Sequence, residues 1–347
     1  MRALEIDRYG SAAEALHINS DAQVPPPSAG EILIDVQAAS VNPVDCAIRR
    51  GYGREVFRKL GRVSDKEFPV RLGRDASGVV IAVGSGVEKF RVGDRVFTAP
   101  SAPTIAERAV VAASEAAEMP RNVTFVEAAS LPFVAMTTWH ALVDQVGAMP
   151  NGLSGKRVLI TRGAGGVGSF AIQLVKAWGG YVASICSTRN VEFVKGLGAD
   201  LVIDYTKPSS EALLRDFDVV FDSSFDKETQ LLDALRTQAG ASYITITSPK
   251  VKLADQFGVE LGAKKAEELL ESRRAAQAAL GRHYYWGHMK PNGAALAQVA
   301  QLVEAKKIRP LVDRVFALDD AVAAQEYCES GQAQGKIVFD MTIQKSH

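Results

Sequence analysis

Val158-Leu159-Ile160-Thr161-Arg162-Gly163-Ala164-Gly165-Gly166-Val167-Gly168 is the stretch that decides the reading of this chain. A short apolar run enters a glycine-rich bend. Beyond it Val167, Phe170, Ala171, Leu174, Val175 and Trp178 recur at helical spacing. A buried strand, a G-x-G-x-x-G turn and an amphipathic helix in that order form a phosphate cradle. Gly163 permits the tight turn, and Ala164 completes the loop beside it. Gly165 lets the backbone approach a diphosphate, and Gly168 lets helix and strand come close. The N–H groups of Gly166 and Val167 would face the anion, helped by the positive end of the helix dipole. A tight turn with no ligand is the alternative, and the strand and helix on either side weigh against it.

The choice of dinucleotide is made about 20 residues further on, at the end of the second strand, where an NAD site carries Asp or Glu for the ribose 2′-hydroxyl. Here the chain reads Cys186-Ser187-Thr188-Arg189, with no acid until Glu192. Ser187 can donate to a 2′-phosphate and Arg189 can pair with it. Tyr205, after the third strand, can add a phenol. These residues favour NADPH. In the competing reading Ser187 caps the next helix and Arg189 is a solvated surface charge.

Around the cradle, strands and helices alternate. Val182–Ile185, Leu201–Ile203, Val219–Phe221 and Tyr243–Ile246 read as further strands, followed by a helix over Lys264–Leu280, an aromatic strand Tyr284-Tyr285-Trp286 and a helix over Ala294–Ala305. Such alternation predicts a doubly wound parallel sheet. Residues 1 to about 125 look different. Glu31–Val36, Ser77–Gly84 and Gly93–Phe97 are short strand patterns punctuated by Gly and Pro, which predicts a small barrel. Val126–Val143 reads as mostly helical despite Pro132. In the tail, Arg309–Val312 and Lys336–Phe339 read as strands around a helix near Asp319–Ser330, and are expected to rejoin the barrel. The predicted division is therefore a barrel domain over 1–126, an α/β dinucleotide domain over 127–306, and a return to the barrel over 307–347.

Composition narrows the function. A chain of 347 residues with 47% hydrophobic content buries substantial cores, and its length suggests two domains. Lys and Arg number 40, as do Asp and Glu, so no basic field attracts nucleic acid or an anionic membrane. No apolar run approaches the ~18 residues of a membrane span. The N-terminus, Met1 to Ile6, opens directly on strand-like alternation, without an apolar signal region or an Arg/Ser-rich transit segment. The three cysteines, Cys46, Cys186 and Cys328, lie far apart in sequence and share no ligand spacing. Both observations set the expectation of a reducing cytoplasm. No H-E-x-x-H or G-x-S-x-G occurs, which disfavours zinc proteases and serine hydrolases.

Several separate segments, in order, resemble the zinc-independent medium-chain dehydrogenase/reductases of the quinone oxidoreductase branch, over about residues 1–341. They are Val41-Asn42-Pro43-Val44-Asp45, Arg49-Arg50-Gly51-Tyr52-Gly53, Phe68 to Asp75, Ser130-Leu131-Pro132, the nucleotide turn, Gly198-Ala199-Asp200 with Ile203-Asp204-Tyr205, and Gly335-Lys336. The resemblance implies a GroES-like β-barrel catalytic domain beside a Rossmann sheet, with a site in the cleft between them, and a homodimer. It also implies cofactor contacts at Thr137, Gly166, Val167, Ser187, Tyr205 and Ile246, and along the turn from Ala333 through Gly335 to Lys336. Zinc members of the superfamily use a Cys and a His at the positions of Asn42 and Arg74. Amide and guanidinium cannot replace thiolate and imidazole, so no metal is expected. Cys46 reads as a small packed residue.

Without a Lewis acid, acceptors that are already electrophilic are the better substrates. The expected reaction is hydride transfer from NADPH to a quinone or conjugated enone, the protein supplying position, dryness and a hydrogen bond to developing oxyanion charge. Tyr52, in a glycine-flanked loop, and Asn42, with its amide, are the candidates for that bond. Tyr52 as an ordinary half-buried loop residue and Asn42 as an Asx turn before Pro43 are the competing readings. Asp45 reads as a helix cap. Tyr284, Tyr285 and Trp286 would line an apolar pocket or simply pack in a core or interface. Two other functions share the fold: an enoyl-thioester reductase, for which no basic stretch marks a coenzyme A pocket, and a regulatory protein that holds NADPH without turnover.

Overall fold

The computed structural model describes residues 1–59, 68–150, 152–224 and 226–343. The chain divides into two bodies. One comprises Met1–Met136, Pro291–Lys306 and Pro310 onward, and the other Thr137–Lys290 with Lys307–Arg309.

Among the described residues, the second body is built on a six-stranded sheet. Its strands are Arg157–Ile160, Tyr181–Cys186, Leu201–Asp204, Val219–Asp222, Ser242–Thr245 and His283–Trp286. All neighbours pair in parallel. Numbered along this body, the spatial order is 3-2-1-4-5-6, the order of dinucleotide-binding sheets, whose ligand lies at the carboxyl ends of the strands. The strands are short and continuously apolar because helices cover both faces. Leu159, Ala183, Ile203, Phe217, Val220 and Tyr243 form one core beneath them. Helix Gly166–Ala177 turns Phe170, Ala171, Leu174 and Val175 inward, all 3% exposed or less.

The first body carries a three-stranded and a seven-stranded sheet among the described residues. Strand Glu31–Val41 organises the larger one. Ile32, Ile34 and Val36 alternate inward, which is the period-2 signal the sequence shows. Past Val36 the strand is buried on both faces: Ala38 packs with Ala129 of helix Phe125–Ala129 and with Val338, while Ala39 and Val41 join the main core of this body. One edge pairs with Ala76–Val83. The other pairs first with Arg108–Ala112 and then with the tail strand Lys336–Asp340. Register shifts between Leu33 and Ile34 and between Val36 and Ala38 bend it. The tail strand Lys336–Asp340 thus lies in this body.

Val126–Val143 is mostly helical, in three pieces: Phe125–Ala129 ends at Ser130, Pro132 starts Pro132–Trp139 at the position where a missing N–H costs nothing, and His140–Gln145 is a π turn. Three boundaries differ from the sequence reading. The helix read from Lys264 already begins at Val259. The tail strand begins at Val312, not Arg309, since Pro310 has no N–H for a ladder. Helix Gly293–Glu304, assigned above to the dinucleotide domain, packs on the first body instead. A Cβ on Gly293 would stand 2.3 Å from Ala116 O, and Asn122 Nδ2 donates to Val303 O at 3.0 Å.

Candidate functional site

The glycine turn sorts its three glycines by what surrounds them. A Cβ on Gly163 would strike Ser184 Oγ at 2.0 Å, and one on Gly168 would strike Arg162 O at 2.4 Å. These two glycines serve the protein's own packing. Gly165 differs. Its backbone is extended, at φ −75° and ψ 168°, and a Cβ there would meet only Arg162 O, at 3.4 Å. Nothing in the fold requires a glycine at Gly165, so its bare backbone leaves room for a ligand. Gly165 also caps the helix without a side-chain bond, and helix geometry leaves the first N–H groups, at Gly166 and Val167, without intrahelical acceptors. An anion fits this cradle. Arg162 takes a positive φ of 52° to make the turn. The strand end below is pinned: Thr161 Oγ1 donates to Asp222 Oδ1 at 2.9 Å, and Ser184 Oγ to Ile160 O at 3.0 Å.

At the ends of the next two strands, Cys186 pairs with Asp204, so Ser187 and Tyr205 emerge side by side. Ser187 does not cap the turn Thr188–Asn190; its Oγ instead accepts from Asn190 Nδ2 at 3.3 Å. Arg189 is exposed and Tyr205 is 64% exposed. Asp204 is an acid that the sequence reading passed over. It lies within the same rim, but its carboxylate is spoken for: Thr188 Oγ1 donates at 2.7 Å, Thr206 Oγ1 at 2.8 Å and Thr206 N at 3.1 Å. The Thr188 hydroxyl, then the Thr206 donors, hold its pKa below the ordinary carboxylate value. Ile246 follows strand Ser242–Thr245 and donates its N–H to Asp222 O at 3.0 Å. Thr137 is buried, at 4% exposure.

In the first body, Asp75 is the centre of a closed polar cluster. It is fully buried. Its Oδ2 accepts from Ser40 Oγ, from Asn42 Nδ2 at 2.9 Å and from Lys336 Nζ at 3.1 Å. Its Oδ1 accepts from Phe133 N at the start of helix Pro132–Trp139. Lys336 Nζ also donates to Asn42 Oδ1 and to Val41 O, the latter at 3.4 Å. Asn42 and Lys336 both stand in this cluster, where both ends of the Asn42 amide and the Lys336 ammonium make hydrogen bonds within the protein. Burial of a charge demands this pairing. Asp75 ends the Phe68–Asp75 segment that carries part of the resemblance, but spacing cannot reveal the cluster, because its partners Ser40 and Lys336 lie 35 and 261 residues away along the chain.

Asn42 also caps helix Pro43–Arg49, with Asp45 completing the box: Asn42 N donates to Asp45 Oδ2 at 2.8 Å. Burial pushes the Asp45 carboxyl up, against the pull of Arg74 and of N–H donors from Asn42 and Gly73. Tyr52 is half-buried between Gly51 and Gly53, whose φ values are 93° and 81°. The Arg74 guanidinium lies over the Phe57 ring at 5.4 Å. Gly335 adopts φ 97°, and Ala333 is half-buried beside it. Tyr284 is core rather than pocket lining, stacked on Tyr243 at 5.3 Å. Among the described residues, no three His, Cys, Asp or Glu side chains gather as a metal site, and no helix is long and apolar enough to cross a membrane.

Comparison with known proteins agrees with this geometry. Residues 28–121 match the alcohol dehydrogenase GroES-like domain and residues 197–339 the zinc-binding dehydrogenase domain. The mouse NAD(P)H oxidoreductase RTN4IP1, mitochondrial, is 37% identical over 98% of this chain and 89% of its own. A chloroplastic quinone-oxidoreductase homolog of spinach is 29% identical over 98% of each. The solved quinone oxidoreductase of Coxiella burnetii superimposes with a TM-score of 0.78 at 29% identity, over 98% of this chain and 99% of that one. The fold is thus a GroES-like domain with a Rossmann-type parallel sheet. The chain belongs to the medium-chain dehydrogenase/reductases, as a quinone oxidoreductase-like NAD(P)H oxidoreductase. The cytoplasmic setting expected above is corrected by the same relatives, which are mitochondrial or chloroplastic by name. Neither the strand-like N-terminus nor the scattered cysteines report on compartment.

Proposed function

We propose that this protein transfers hydride from NADPH to a quinone or conjugated enone without zinc. The observation that carries the reading is the cluster around Asp75. Where zinc members of the family need thiolate and imidazole, this chain presents an amide whose oxygen already faces the Lys336 ammonium. That donor set does not fit a catalytic zinc. The chemistry supplied by bound NADPH is delivery of a hydride to an electrophilic carbon. The chain's residues do the rest. Gly165, Gly166 and Val167 present backbone to the diphosphate. Ser187, Arg189 and Tyr205 form a rim suited to a 2′-phosphate, with the competing Asp204 carboxylate occupied by threonines. Thr137, Ile246 and the backbone of Ala333–Lys336 complete the cofactor contacts. Asp75, Asn42 and Lys336 act as positioning residues that fix the start of helices Pro43–Arg49 and Pro132–Trp139. Tyr52 donates the hydrogen bond to the developing oxyanion. The open edge of strand His283–Trp286 suits self-association into a homodimer, readable by sedimentation.

The test is consumption of NADPH and NADH across quinones, conjugated enones and enoyl-CoA. Turnover of NADPH with a quinone or enone, zinc-chelated buffer making no difference, is expected. Binding without turnover, turnover of enoyl-thioesters alone, or activity lost with chelator and restored by zinc overturns the reading. Replacing Ser187 by Asp should shift selectivity toward NADH by tenfold or more, since one misplaced charge is worth about 1.4 kcal/mol or above. A wild type that already prefers NADH overturns the NADPH assignment.

A further inference from the structure

Cys46 and Cys328 stand far apart in sequence and meet in the fold. Cys46 lies on helix Pro43–Arg49 and Cys328 on helix Ala321–Glu329. The Cys46 thiol donates to Gln325 O at 3.8 Å, and Cys328, one turn further along that helix, packs in the same hydrophobic cluster as Cys46. Gln325 and Cys328, three apart, share one face of their helix. Arg49 clamps that face. Its side chain is fully buried, its Nε donates to Gln325 Oε1 at 2.7 Å, and its Nη2 pairs with Glu329. The two thiols are thereby held in register within one hydrophobic cluster. The hydride-transfer reading uses neither.

We infer that Cys46 and Cys328 are a peroxide-reactive dithiol site that closes into an intramolecular disulfide. The Cys328 sulfur attacks one oxygen of hydrogen peroxide. The O–O bond breaks, the other oxygen leaves with the thiol proton as water, and Cys328 becomes a sulfenic acid. The Cys46 sulfur then attacks the Cys328 sulfur, the S–O bond breaks, and the hydroxyl departs with the Cys46 proton as a second water. Two electrons pass from the thiol pair to peroxide. Cys328 reacts first for two reasons. It is half-buried where Cys46 is 4% exposed. The neighbouring Cys46 sulfur also draws the Cys328 thiol's pKa down, while the same contact and then burial push Cys46 up. The bond would tie the helix that Asn42 caps to the helix that leads, through the turn at Gly335, to Lys336.

The experiment treats the reduced full chain with hydrogen peroxide, unfolds it, blocks free thiols with N-ethylmaleimide and maps peptides by mass spectrometry. The expected product joins the Cys46 and Cys328 peptides with loss of two hydrogens, while Cys186 is alkylated. That thiol is buried in the other body and pushed up to about 11, so it serves as an internal control. With Cys46→Ser, Cys328 has no resolving partner and should proceed to sulfinic acid. With Cys328→Ser, Cys46 should remain alkylatable. Alkylated Cys46 in the treated wild type, sulfinic Cys328 in the wild type, or Cys186 oxidised as fast as Cys328 overturns the proposal.

Discussion

Replacing each cradle glycine in turn by alanine separates the ligand's glycine from the fold's. At Gly165 the backbone is already in a region open to any residue, and the new methyl meets nothing closer than 3.4 Å. Gly165→Ala should therefore leave stability unchanged or raise it by about 0.4–1 kcal/mol, through the lower entropy of the unfolded chain. In the proposed cofactor site the same methyl occupies the space a diphosphate needs. Pushing the anion off its N–H donors forfeits one charge-assisted hydrogen bond, about 1.5–3 kcal/mol, or roughly a 10- to 100-fold weaker Kd. Gly163→Ala and Gly168→Ala should behave oppositely. Their methyls would lie 2.0 Å from Ser184 Oγ and 2.4 Å from Arg162 O, and overpacking of this kind costs about 1–3 kcal/mol. Gly168 meets backbone, which cannot swing aside, so it should suffer more. The assay is thermal unfolding of the apo chain alongside calorimetric titration with NADPH. Undiminished affinity in Gly165→Ala, or stability lost there as at Gly168, would refute the division of roles.

Three further outcomes follow from the geometry. Asp75→Ala leaves the Lys336 ammonium buried without its carboxylate and should cost about 3–5 kcal/mol in urea unfolding; the double variant with Lys336→Met should recover part of that, and strict additivity would deny the coupling. Tyr52→Phe should lower kcat with a quinone acceptor by about 10²-fold or more while leaving NADPH affinity alone, and unchanged turnover removes Tyr52 from the chemistry. Burial holds the Tyr284 phenol up at about 12, above its unfolded value of about 10. Its contribution to stability is complete below pH ~10 and fades as pH rises through the folded value, so Tyr284→Phe should show a shallower alkaline loss of Tm than the wild type, and parallel curves would count against the shift.

How far the sequence reaches can be judged from these residues. The cradle was legible because everything it needs is local: a strand, three glycines and a helix within one stretch, so spacing alone reports the geometry. The alternation of strands and helices likewise reports the parallel sheet, since periodicity is a local consequence of which face is buried. The Asp75 cluster was not legible. Its members come from strand Glu31–Val41, the cap of Pro43–Arg49, the approach to Ala76–Val83 and strand Lys336–Asp340, and only tertiary pairing of those strands brings them together. Asn42 and Lys336 could be singled out from their motifs, yet whether an amide or an ammonium faces a ligand or a buried carboxylate depends on who stands opposite. The same holds for Asp204, opposite Cys186 across a strand pair but 18 positions on in sequence. The preference for NADPH proposed above cannot rest on the absence of an acid from the second strand alone, because an acid does stand at the rim. The proposed preference requires Thr188 and Thr206 to keep that carboxylate turned to them. Thr188→Val should therefore free Asp204 and weaken NADPH binding more than NADH binding, and an equal loss for both cofactors would show that the threonine pair has no part in the choice.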